Sequence, residues 1–71
     1  MNLSEGKIGS RYSIENISLP VKLEKRLQAI GMTIGTKILV LNNKISGSII
    51  IKVRGTRFAL GINISKKIRV R

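Results

Sequence analysis

Three glutamates, Glu5, Glu15 and Glu24, are the only acidic side chains in a chain without histidine, cysteine or aspartate. General acid–base catalysis draws on His or on carboxylates held close together, and these three lie in separate segments. A nucleophilic hydroxyl needs an adjacent base, for which only those glutamates and the lysines are available. The composition therefore argues against an enzyme. It also excludes disulfides and Cys/His metal sites. What the chain does carry is positive charge: 14 Lys and Arg against 3 acids, a net +11. That balance favours polyanions, an acidic partner or an anionic membrane surface.

Gly31-Met32-Thr33-Ile34-Gly35-Thr36-Lys37 imitates a phosphate-binding loop. A true one reads G-x-x-x-x-G-K-[ST], follows a strand and opens a helix. This stretch is one residue short, places Thr before Lys, and follows a helix instead. A helix stop and turn, with both glycines supplying unusual backbone angles, accounts for it better.

The basic residues fall on a definable surface. If Ile49, Ile51 and Val53 face a core, then Ile50, Lys52 and Arg54 face out, with Arg57 close by across a turn. Lys67, Arg69 and Arg71 alternate with Ile68 and Val70 in the same way. Such a surface could follow nucleic-acid phosphates. Only Tyr12 and Phe58 are aromatic, however, and Phe58 reads as core, so a base-stacking platform is missing. A solvated or protein-docking basic face is the better reading. With Ile38 and Val40 inward, Leu39 and Leu41 turn outward and Ile50 joins them on the same side. Three large aliphatics there mark a contact surface unless the helix covers them.

The elements that position these residues follow from spacing. The 71 residues make one small domain, with 25 Ile, Leu, Val and Phe to build its core. Short alternating Ile/Val runs predict strands at Tyr12–Ile17, Lys37–Leu41, Ser48–Arg54, Arg57–Leu60 and Lys67–Arg71. Leu23, Leu27 and Ile30 at i, i+4 and i+7 predict one helix over Pro20–Ile30, with Pro20 in its first position. Gly31 should end that helix and let Met32 pack back. Asn42–Gly47 reads as a polar loop, Gly55-Thr56 as a type II′ hairpin turn, and Gly61–Ser65 as a short helical turn. Five short strands on a thin core favour a mainly β fold, a small SH3-like barrel with one inserted helix. Its expected core is Leu23, Leu27, Ile38, Val40, Ile49, Ile51, Val53, Phe58, Leu60, Ile68 and Val70. No secretory signal or run of about 20 apolar residues is present, so the chain reads as cytosolic.

Arg26-Leu27, Gly31-Met32 and Gly35-Thr36 together resemble the signature of the FeoA family, small cytosolic proteins of bacterial ferrous iron transport. The resemblance extends through Leu3-Ser4-Glu5, Gly9-x-x-Tyr12-x-Ile14, Arg57-Phe58-Ala59-Leu60 and Ile68-Arg69-Val70, so it covers nearly the whole chain. It implies an SH3-like barrel, no catalysis, and a regulatory docking role on the membrane transporter FeoB, whose cytosolic part binds GTP. Related domains of metal-dependent repressors imply protein contacts, and self-association is a second candidate contact. Leu39, Leu41 and Ile50 are the expected apolar anchors, with Lys52, Arg54 and Arg57 as a basic rim. Transition-metal binding is a property associated with the family. Here only three scattered glutamates among fourteen positive charges could ligate Fe²⁺, so weak, nonspecific metal binding and no cofactor are expected. A small basic barrel that binds nucleic acid is the alternative.

Overall fold

The computed structural model describes residues 1–44 and 47–71. Ile45 and Ser46, within the expected polar loop, lie outside the described residues. Among the described residues there are five strands: β1 (Arg11–Ile17), β2 (Lys37–Asn43), β3 (Ile49–Val53), β4 (Thr56–Leu60) and β5 (Ile68–Val70). One helix, α1 (Val21–Ala29), lies between β1 and β2, and a short α2 (Ile62–Ser65) precedes β5. A 3₁₀ turn at Leu3–Glu5 opens the fold.

All strand pairs are antiparallel, in the order β4-β3-β2-β1-β5. β4 and β5 are the outer strands of this order, so the sheet is not closed into the small SH3-like barrel that was expected. Two irregularities bend it. Leu41 is an extra residue between the Val40–Ile51 and Asn42–Ile50 pairs, and Glu15 is extra between Ile14–Val70 and Asn16–Arg69. Such bulges raise local twist and curl a sheet without closing it.

The alternation of Ile and Val sorts these strands into two faces. Ile38, Val40, Ile49, Ile51 and Val53 are at most 1% exposed, and Leu60, Ile68 and Val70 join them. Leu3, Ile14 and Met32 complete the core, none of them among the residues expected there. Two expected members are corrected. Phe58, opposite Ile51, is half-buried and packs against the core rather than within it. Leu23 is half-buried and outside the core cluster, because α1 meets the core only at its C-terminal end, through Leu27, Ile30 and the following Met32.

That helix end is closed by two backbone bonds. Gly31 N–H donates to the Gln28 carbonyl at 3.0 Å and Met32 N–H to the Leu27 carbonyl at 2.9 Å. Together with Gly31 at φ +97°, this is a Schellman stop, and it turns Met32 into the core. The start is looser: Pro20 occupies the cap position before Val21 rather than the first helical one, and no side chain caps the free amides.

The β3–β4 hairpin also differs from expectation. Val53 pairs with Thr56, so the two loop residues are Arg54 and Gly55 rather than Gly55 and Thr56. Both have positive φ, 50° and 84°. That is the signature of a type I′ turn, whose twist matches the flanking strands, and not of type II′. β2 runs two residues further than expected, through Asn42 and Asn43. The Asn43 side-chain amide donates to the Ser4 and Gly6 carbonyls at 3.1 and 2.8 Å, tying the N-terminal turn to the sheet.

Candidate functional site

Strand register decides which cations become neighbours. Arg11 on β1 pairs with Leu39 on β2, Leu39 with Lys52 on β3, and Lys52 with Arg57 on β4. Four strands thus contribute one row, Arg11–Leu39–Lys52–Arg57, at about 4.8 Å per step. A second row runs beside it: Lys37 pairs with Ser13, whose backbone exchanges hydrogen bonds with Arg71 at 2.8 and 3.0 Å. Arg11, Lys37, Lys52, Arg57 and Arg71 are all exposed. The face opposite the core is therefore a cationic sheet surface.

Two adjoining depressions mark it. One, of about 230 Å³, is lined by Arg11, Lys37, Ile38, Leu39, Lys52 and Gly55. The other is lined by Arg11, Tyr12, Ser13, Lys37 and Arg71. Leu39 is half-buried in the first, with a cation paired on each side. Lys52 and Arg57 stand directly opposite each other, and like charges so placed oppose the pairing of their strands. Glu15 is the one carboxylate at the margin. It pairs with Arg69 at 3.3 Å and Arg71 at 3.2 Å, both in exposed geometry where such pairs add little stability.

The six residues expected to dock a partner are only partly brought together. Leu39, Lys52 and Arg57 share the first row. Ile50 lies one row away on the same face, paired with Asn42 and Ala59. Leu41 is the bulge residue, displaced from both rows. Leu39, Leu41 and Ile50 are each half-buried rather than fully exposed. Arg54 leaves this group for another task. Its stem runs over the helix exit, and a Cβ on Gly31 would stand 3.0 Å from Arg54 Cδ.

Arg11 and Lys37 were missed by sequence reasoning. Arg11 lies just before the strand expected at Tyr12–Ile17, and only the β1–β2 register sets Arg11 beside Leu39 and Lys37 beside Ser13. The signature residues instead serve the fold. Leu27 and Met32 are buried, and Gly31 ends α1. Thr33 to Thr36 forms a turn around Ile34-Gly35, closed by Thr36 N–H on the Thr33 carbonyl at 3.0 Å. Gly35 N–H donates to the Ile14 carbonyl at 2.7 Å and Ile14 N–H to the Thr36 carbonyl at 2.9 Å, so this turn is laced to β1. Arg26 is exposed in the last turn of α1. Among the described residues, no three His, Cys, Asp or Glu side chains cluster where they could hold a metal ion.

The fold has close counterparts among solved structures. An iron uptake regulatory protein, FeoA, superposes with a TM-score of 0.91 at 35% identity, covering 100% of this chain and 95% of that one. The FeoA of Stenotrophomonas maltophilia, solved with zinc and described as an SH3-domain protein, gives 0.84 at 25% identity, covering 100% and 89%. A manganese-dependent transcriptional repressor shares the fold at TM-score 0.84 and 18% identity, over 96% of this chain and 39% of that one. No curated protein sequence matches significantly. The FeoA domain model matches residues 1–71, and the chain belongs to the FeoA family.

Proposed function

We propose that this protein is a non-catalytic accessory factor of ferrous iron uptake, acting on the cytoplasmic side. It would dock on a FeoB-like GTP-binding transporter and regulate it by protein–protein contact. Family membership supports the iron-transport context. The observation that carries the docking reading is the Arg11–Leu39–Lys52–Arg57 row, an apolar side chain set among cations that the core does not use. Interfaces concentrate energy in a few desolvated anchors, while rim charges steer encounter and set salt dependence. Leu39 fits the first role, and Lys52 and Arg57 the second. Ile50, one row away on the same face, is a secondary contact, while the displaced Leu41 and Arg54 stand at the margin.

The test is binding of the full chain to the cytosolic part of such a transporter. Leu39→Asp should abolish binding and transporter-dependent iron uptake while circular dichroism stays native. Normal uptake with a folded variant would remove this face from the docking site. The second reading, a basic module on nucleic acid, draws on the same cations. It predicts that affinity for a random duplex falls steeply with salt. Phe58 packs against the core, and Tyr12, which lines the second depression, does so too, so at most one aromatic ring borders this face. Tight duplex binding without transporter binding would reverse the order of the two readings.

A further inference from the structure

The two edges of the sheet are treated differently. On the outer side of β5, Val70 N–H donates to the Met1 carbonyl at 2.8 Å and Asn2 bridges to Arg69, so the N-terminal residues cover that edge. β4, at the other end, has no backbone bond on its outer side among the described residues. Its pairing with β3 is unbroken over five residues, with no bulge and no proline to blunt it. Unprotected edges of this kind accept an added strand.

The hairpin identifies the free groups. A two-residue turn makes its flanking pair, Val53 and Thr56, the hydrogen-bonded one. Alternation then directs the N–H and C=O of Phe58 and Leu60 toward β3, and those of Arg57 and Ala59 away from it. Arg57 and Ala59 are both exposed. Their side chains share the cationic face, Arg57 opposite Lys52 and Ala59 opposite Ile50.

We propose that β4 is a strand-addition site for an acidic, extended segment of a partner protein, which pairs with Arg57 and Ala59 as a sixth strand. The segment's outward acidic residue stands beside Arg57 and Lys52 and relieves their mutual repulsion. The small Ala59 side chain leaves room for a large apolar neighbour next to Ile50. A second copy of this chain is a poor occupant, because β4 against β4 would bring two cationic edges together across two molecules of net charge +11. This inference rests on the docking reading for the partner being a protein, and adds the chemistry of its segment and how it pairs.

A ten-residue peptide of alternating Glu and Val is the probe, with a Lys/Val peptide as control. Amide exchange of the full chain, followed by NMR, is the readout. The acidic peptide should slow exchange at Arg57 and Ala59 by about tenfold or more and leave Phe58 and Leu60 unchanged. Ala59→Pro removes an edge donor that bonds nothing within the fold, and prolines are tolerated on such edges. It should keep the native circular dichroism and weaken peptide binding by about tenfold or more. Unprotected Arg57 and Ala59 amides at saturating peptide would overturn the proposal, and that result stands even if Ala59→Pro does not fold. So would anionic vesicles or duplex DNA binding while the acidic peptide does not. Transporter binding that survives Ala59→Pro would overturn strand addition yet leave docking on the cationic face intact.

Discussion

Ile38 and Ile51 face one side of the sheet and Leu39 and Lys52 the other, a single residue apart along each strand. The first pair is within 1% of complete burial; the second lines an open cationic depression. The inner side is neutral, aliphatic and close-packed, and holds nearly all of what keeps so small a domain folded. The outer side carries charges that do nothing for the fold, and the facing Lys52–Arg57 pair works against it. Selection for stability alone would not place two cations there. The contrast teaches that the two faces answer to different requirements, packing on one and, in the proposed reading, recognition on the other.

The sharpest way to break that contrast is from the inside. Ile51 has no solvent exposure, and Ile51→Ala should cost about 2–5 kcal/mol through lost burial and the cavity left behind. Urea unfolding measures it, and a cost below about 1 kcal/mol would mean that the inner face is not the packed one.

Gly31 tests the joint between α1 and the β3–β4 turn. Gly31→Ala puts a side chain at φ +97° and 3.0 Å from Arg54 Cδ. The left-handed backbone alone should cost about 1–2 kcal/mol, with the clash added. Pairing it with Arg54→Ala should recover the clash and leave the backbone cost. A double-mutant cycle showing no coupling would mean that the Arg54 side chain swings aside at no cost, leaving the backbone cost as the whole effect.

The outer face gives the smallest effect and the opposite sign. Lys52→Glu replaces a like-charged pair with an attractive one opposite Arg57 and should stabilise the fold by about 0.2–1 kcal/mol. The same change should weaken binding to the transporter's cytosolic part. A variant both less stable and fully competent in binding would erase the proposed distinction between the faces.

Much of this was legible before any coordinates. The i, i+4, i+7 spacing located α1, and Gly31-Met32 foretold its stop, because a helix end depends on local backbone bonds. Period-two alternation named most of the inner face. The absence of His, Cys and Asp narrowed the chemistry. Leu23 failed because helical spacing reports which side is apolar, not how much of the helix reaches the core. Leu3 was not placed in the core because a lone leucine in a 3₁₀ turn has no period to betray its burial.

Local pattern alone determined the faces and the helix end, since each depends on residues within a few positions of one another, and composition alone fixed the absence of His, Cys and Asp. The tertiary structure alone decided which cations meet. Arg11 and Leu39 pair across 28 intervening sequence steps, and extra residues at Glu15 and Leu41 shift the ladders in a way no local period records. It also decided that one edge would be covered by the chain's own first residues and the other left open. Register and edge protection arise from pairing between distant segments, where the free energy of alignment depends on both partners at once.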